Sequence, residues 1–102
     1  MLRHLVMFRK HDATDDATID AIMARLEALV GQIPGLVALR CHRSLPSPRP
    51  VVWTFVLDST IEDAAQLPAY LAHPAHVAVN EWMSPYLADR AVIDYVLTGR
   101  GD

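Results

Sequence analysis

Short apolar runs and one longer apolar stripe at helical spacing alternate along the chain. The run from Leu5 to Phe8 is too short for a stable helix and predicts a first strand with two largely apolar faces. The stripe that follows predicts a helix, and its members are Ile19, Ile22, Met23, Leu26, Leu29, Val30 and Ile33. We expect Thr14 or Asp15 as the N-cap, and the Pro34-Gly35 pair ends this helix.

Two further strands are predicted in the middle of the chain. Residues 37–42 alternate between apolar and polar positions, which predicts an edge strand with Val37, Leu39 and Cys41 on one face. A proline-rich loop follows. Residues 51–57 are mostly β-branched or aromatic, and this pattern predicts a central strand because both of its faces are apolar.

The second half of the chain combines helical signals with prolines. We expect a short or broken helix from about Thr60 to Ala72, with Pro68 in the first turn of its second half. The His73-Pro74 pair restarts a helix, with the proline at the first helical position. Residues 91–97 then alternate as a last strand.

The resulting order, β-α-β-β-α-α-β, predicts one α+β domain over residues 1–102. It matches the ferredoxin-like split βαβ arrangement with a four-stranded antiparallel sheet. Helices cover one face of such a sheet, and the other face would leave a large apolar patch exposed to water. We therefore expect a homodimer that packs open sheet face against open sheet face.

Composition and charge agree with this interpretation. The apolar fraction is 52%, at the upper edge for soluble domains, and part of it suits a subunit interface. The net charge of −3 and the lack of a basic cluster disfavour nucleic acid and anionic membranes as partners. One cysteine, Cys41, and no apolar run of signal-peptide or membrane-span length predict a cytoplasmic protein.

Four segments resemble a known family. They are residues 3–8, the turn Ile33-Pro34-Gly35, the run from Tyr70 to His76 and the ending Asp94-Tyr95. Together they resemble the stress-responsive A/B barrel (Dabb) family over nearly the whole chain. The most specific piece is Tyr-x-x-His-Pro-Ala-His. The family fold is a dimeric α+β barrel, in agreement with the dimer expected from the uncovered sheet face.

The resemblance also implies a candidate chemistry. Most members of the family have no established activity, and some plant members are very stable oligomers linked to stress. The plant member olivetolic acid cyclase closes a linear polyketide by an intramolecular aldol reaction without a cofactor. Its tyrosine and histidine in the shared run correspond to Tyr70 and His76, and its first-strand histidine corresponds to His4. The resemblance therefore implies acid/base catalysis without cofactor or metal.

The predicted site is an apolar pocket between the sheet and the helices, which would hold a small apolar or polyketide-like ligand. Its expected lining residues are Val6, Phe8, Ile22, Met23 and Leu26. The cyclase has aromatic residues on its first helix where this chain has aliphatic ones. The substrate of the cyclase therefore does not carry over to this chain. An inward His76 would have a lowered pKa and act as a neutral general base. Tyr70 could then hold an enolate oxygen, with His4 adding polarity.

Two alternatives stay open. His76 can be a structural histidine that makes one buried hydrogen bond, in which case the chain is a non-catalytic stress-response or structural dimer. The chain can also bind a metal through His73 and His76, with or without His4, or bind haem with one histidine as axial ligand. The sequence has no carboxylate or thiolate at helical spacing to complete a metal site, so its support for a metal is weak.

Overall fold

Antiparallel strands form one sheet, and helices pack on one of its faces. The computed structural model describes residues 1–50 and 52–98. In these residues the strands are β1 (Leu2–Lys10), β2 (Leu36–Arg43), β3 (Phe55–Ile61) and β4 (Leu87–Val96), in the order β2-β3-β1-β4. The helices are α1 (Asp16–Glu27), α2 (Leu67–Ala72) and α3 (Pro74–Met83), with 3-10 turns at Ala64–Gln66 and Ser84–Tyr86. The predicted α+β ferredoxin-like fold is confirmed.

The central strands alternate between a covered and an uncovered face. In β1, Val6 and Phe8 are buried beneath the helices, whereas Met7 is exposed on the other face. The Phe8 ring stacks on Phe55 of β3 with 4.9 Å between the ring centroids. From the helix side, the stripe predicted for α1 meets this surface, with Ile19 fully buried. We call the covered side of the sheet the helix face and the other side the open face.

The first helix is capped as predicted but ends early. Asp15 is the N-cap, and its carboxylate accepts a hydrogen bond of 2.8 Å from the backbone N–H of Thr18. The helix ends at Glu27, although Leu29 and Ile33 beyond it are still buried. The apolar stripe extends past the helix because the turns after Glu27 pack on the same core. The spacing of apolar residues indicates which side chains are buried, but not where the helical hydrogen bonds end.

The prediction for the third strand was wrong in its bounds. The strand runs from Phe55 to Ile61, so Thr60 lies in the strand and does not begin a helix. Part of the predicted segment, Val51, lies outside the described residues. Two of the polar residues of β3 are paired with β1: the Asp58 carboxylate lies 3.4 Å from the Arg3 guanidinium, and the buried Ser59 hydroxyl donates to the His4 carbonyl oxygen at 2.9 Å. Asp63 instead caps the next turn by accepting from the Ala65 N–H at 2.9 Å.

The prolines act as the sequence predicts. The helical segment is broken, and Pro68 lies in the first turn of α2. His73 is the N-cap of α3, where its imidazole accepts from the Ala75 N–H at 3.1 Å, and Pro74 occupies the first helical position. Strand β4 begins at Leu87, four residues before the predicted start at residue 91, because it pairs along β1 as far as Lys10.

Edge strand β2 contains a β-bulge that changes one predicted face. Leu36 pairs with Ile61 and Ala38 with Thr60, so Val37 is an extra residue on β2. Leu39 and Cys41 share one face as predicted, and this face is buried beneath the helices, but Val37 is 48% exposed. The assignment of Val37 to the same face as Leu39 and Cys41 was therefore wrong, because the bulge shifts the alternation by one residue.

The open face is apolar, and no helix of the described residues covers it. Its exposed or half-buried apolar side chains are Leu5, Met7, Val56, Ile93 and Tyr95. Ile93 is 60% exposed. None of the helices in residues 1–50 and 52–98 has the length and hydropathy that a membrane crossing needs.

The bulge leads to a paired test. Leu39→Ala removes a side chain that is 3% exposed and should lower the free energy of unfolding by about 2–5 kcal/mol. Val37→Ala should change it by less than about 0.5 kcal/mol. Urea unfolding followed by circular dichroism measures both. Equal losses in the two variants would contradict the bulge.

Candidate functional site

A cavity of about 180 Å³ lies between the helix face of the sheet and helices α2 and α3. Its lining residues are His4, Val6, Phe8, Leu26, Leu57, Tyr70, Leu71, His76, Met83, Arg90, Val92 and Asp94. The structure thus brings together all three polar residues predicted for the site. Two of the predicted apolar residues do not line it: Ile22 is fully buried in the core, and Met23 packs against that core.

Tyr70 lies on α2, and its polar group is not satisfied by the rest of the described fold. The residue is 2% exposed, and its hydroxyl is buried without a hydrogen-bond partner among the described residues. Burial, with a smaller effect of Cys41, raises the pKa of Tyr70 to about 12, so the hydroxyl keeps its proton at neutral pH. A buried hydroxyl without a partner costs about 1–3 kcal/mol. It is available to donate to a ligand oxygen.

His76 lies in the first turn of α3 and is half-buried. Its Nδ1 atom lies 3.0 Å from the Leu71 carbonyl oxygen. Since a carbonyl oxygen can only accept, Nδ1 carries the hydrogen, and in the neutral ring Nε2 keeps a lone pair. Burial lowers the pKa of His76, and the charges of His4 and Arg90 lower it further, while the bond to Leu71 opposes them. The imidazole is therefore neutral at pH 7, the form that a general base requires.

The three polar rings form a row. The Tyr70 and His76 ring centroids are 4.8 Å apart, and those of His4 and Tyr70 are 5.7 Å apart in a T-shaped arrangement. Tyr70 thus lies between two imidazoles. Both helices contribute because the break between α2 and α3, at His73, turns the two residues toward the same cavity.

His4 is held by a carboxylate on the neighbouring strand. His4 of β1 and Asp94 of β4 are directly opposed in the ladder, and Nδ1 of His4 is paired with Oδ1 of Asp94. The partner of His4 therefore lies in the sheet. Sequence reasoning did not place Asp94 in the site, because only the register of β1 with β4 sets the two residues side by side.

Arg90 is a second site residue that sequence reasoning missed. It lies opposite Phe8 in the ladder, and its guanidinium is 5.2 Å from the centroid of that ring. The guanidinium donates to Asn80 Oδ1 at 2.8 Å and to Ser84 Oγ at 3.3 Å. The alternation Arg90, Val92, Asp94 would have predicted one face for all three residues, had the strand been predicted from Leu87.

Two other side chains with metal-binding or nucleophilic groups, those of His73 and Cys41, have structural roles. The Nδ1 atom of His73 is used in the helix cap, and residues 1–50 and 52–98 hold no cluster of three His, Cys, Asp or Glu side chains that could bind a metal. Burial and the charge of Glu27 raise the pKa of the Cys41 thiol to about 12, so it is not a thiolate nucleophile.

The chain is similar to several known proteins. An uncharacterized protein from Streptomyces coelicolor is 39% identical over 80 residues, which span 76% of this chain and 81% of that protein. A dimeric ferredoxin-like protein of unknown function from Thermobifida fusca has a TM-score of 0.81 at 25% identity, covering 94% of this chain and 90% of that one. A hydroxynitrile lyase from Passiflora edulis has a TM-score of 0.84 at 20% identity, covering 96% and 94%, and shares the fold.

The family match spans nearly the whole chain. Residues 2–97 match the family described as the Stress responsive A/B Barrel Domain, in agreement with the resemblance seen in the run from Tyr70 to His76. This chain belongs to the Stress responsive A/B Barrel Domain (Dabb) family.

Proposed function

We propose that this protein binds a small carbonyl compound with an apolar body and catalyses proton transfer at the carbon next to the carbonyl group, without a cofactor. The observation that carries the proposal is the Tyr70 hydroxyl, which is buried without a partner among the described residues and belongs to a side chain that lines the cavity. A hydroxyl kept in this state costs stability, and a ligand oxygen would satisfy it.

Each polar group of the row has one role in this reaction. His76 accepts the proton at Nε2 as the C–H bond breaks, and the electron pair of that bond moves into the carbonyl to form an enolate. Tyr70 donates a hydrogen bond to the enolate oxygen, which stabilises the developing charge. His4, oriented by Asp94, adds a polar ring to the lining of the same cavity. Return of the proton to oxygen completes an enolisation.

The same enolate can form a carbon–carbon bond. Where the bound compound has a second carbonyl group, the enolate carbon can attack it in an aldol closure, and the proton held by His76 can pass to the new alkoxide. The resemblance to the cofactor-free plant cyclase supports this extension. The apolar lining, which includes Val6, Phe8 and Leu26, suits the hydrocarbon part of such a compound.

We also propose that the protein is a homodimer formed through the open face. Exposed or half-buried apolar side chains of β1, β3 and β4, among them Met7, Val56 and Ile93, lie there, and a depression of about 350 Å³ between Met7 and Trp53 on this face offers room for side chains of a partner. The similar protein from Thermobifida fusca is described as dimeric. With one cysteine in 102 residues, we expect this dimer in a reducing compartment such as the cytoplasm. The alternative function, a stable non-catalytic dimer, rests on this same face.

Enolisation of benzoylacetone tests the proposed chemistry. The wild-type protein should accelerate its keto–enol interconversion, followed by ultraviolet absorbance. His76→Ala should lower the catalysed rate about a hundredfold or more, and Tyr70→Phe about a hundredfold. Tyr70→Phe should be at least as stable as the wild type, because it removes a hydroxyl that the fold does not satisfy.

The control is His42→Ala, which changes an exposed histidine of β2 and should leave the rate unchanged. A wild-type rate equal to that of buffer would contradict the proposed enolisation. Loss of stability in Tyr70→Phe would show instead that the hydroxyl serves the fold.

The pH dependence follows from the lowered pKa of His76. The catalysed rate should rise with pH through a midpoint below 6.5 and then stay flat, because Tyr70 loses its proton only near pH 12. The folded state binds a proton at His76 more weakly than the unfolded state, so the free energy of unfolding should fall as the pH drops below 6.5. Rate profiles and urea unfolding at several pH values measure the two effects. A rate midpoint above 6.5 would exclude His76 as the base.

A charge on the open face tests the dimer. Ile93→Asp places a carboxylate in the proposed interface and should shift the molecular mass measured by light scattering from dimer to monomer at micromolar concentration. Val77→Asp, on the exposed side of α3, is the matched control and should stay dimeric. A monomeric wild type, or a dimer in Ile93→Asp, would speak against this interface.

A further inference from the structure

Arg90 brings a positive charge to the mouth of an otherwise largely apolar cavity. Its side chain lines the cavity, and the residue is exposed, so its charge is open to an entering ligand. No carboxylate of the described residues lies within ion-pair distance of it. Its polar partners, Asn80 and Ser84, are neutral. The described part of the fold therefore orients this guanidinium without neutralising it.

The nearby acidic residues are directed elsewhere. Asp89 precedes Arg90 and lies on the open face. Its carboxylate accepts from the Arg90 backbone N–H at 2.8 Å and lies 3.7 Å from the Arg9 guanidinium, and it makes no ion pair with the Arg90 guanidinium. Asp94 shares the helix face but is four residues along the strand, about 13 Å away, and is paired with His4. The cavity thus has a cationic end at Arg90 and a second polar end at His4 and Asp94.

The hydrogen bonds to Asn80 and Ser84 define how Arg90 is presented. They use one N–H of each terminal nitrogen, and the contact with the Phe8 ring holds the guanidinium plane near the cavity wall. Further N–H donors stay available, in the fork geometry that matches a carboxylate. An arginine placed only for solubility needs no such support.

We propose that Arg90 is a specificity-determining residue that binds a carboxylate of the ligand, so that the substrates of this cavity are carboxylic acids with an apolar body. The proposal rests on the proposed use of the cavity as a binding site, but not on proton transfer. In the enolisation reaction, the carboxylate at Arg90 would fix which methylene group faces His76. The neighbouring charge also contributes to keeping His76 neutral.

Binding of a carboxylate and its neutral amide tests the proposal. The probes are hydrocinnamate and hydrocinnamamide, which have the same apolar body, and binding is followed by the amide chemical shifts of the residues lining the cavity. The wild type should bind hydrocinnamate about tenfold more tightly than hydrocinnamamide. Arg90→Gln, which keeps an amide donor for Asn80, should bind the two probes equally. Arg90→Lys should retain part of the preference.

Arg49→Gln is the control, because it removes the same charge from the loop that borders the depression on the open face. It should keep the wild-type preference. Equal binding of both probes to the wild type, no binding of hydrocinnamate at millimolar concentration, or an unchanged preference in Arg90→Gln would each overturn the proposal. Hydrocinnamate does not enolise readily, so a failure with benzoylacetone and a failure of carboxylate preference are separate results.

Discussion

The antiparallel register between β1 and β4 is the constraint on which the site depends. It sets His4 opposite Asp94 and Phe8 opposite Arg90, all directed to the face that the helices cover. A shift of β4 by one residue would turn Asp94 and Arg90 to the other face, away from His4 and Phe8, because successive residues of a strand point in opposite directions. The apolar residues of β1 that are buried beneath the helices keep this register, so the core stabilises the site geometry as well as the fold.

The cavity keeps polar groups where apolar ones would be more stable. Tyr70 holds a hydroxyl without a partner among the described residues, and burial keeps His76 neutral beside it. Such groups lower stability unless something that binds there satisfies them. A protein whose only property is a stable fold has no need of this arrangement. The burial that creates the cost also suits the residues for acid/base chemistry, since it sets both protonation states.

The two faces of the sheet serve different purposes in this interpretation. The helix face carries the core and the cavity, and the break between α2 and α3 brings Tyr70 and His76 into one row. The open face carries apolar side chains, and charged residues on it form ion pairs with each other, as Arg3 does with Asp58 and Arg9 with Asp89, which suits a subunit interface. The proposed dimer formation and the proposed ligand binding therefore use separate faces and can vary independently.

The sequence by itself determined the α+β order, a helix start at Thr14 or Asp15, the proline break and the run that contains Tyr70 and His76, because these depend on local patterns of a few residues. It could not place the bulge at Val37 or the ends of β3, since strand bounds depend on partner strands far away in the chain. Only the tertiary structure placed Asp94 beside His4 and Arg90 at the cavity mouth. Those positions follow from the pairing of residues about 90 apart in sequence, and no local pattern encodes such a register.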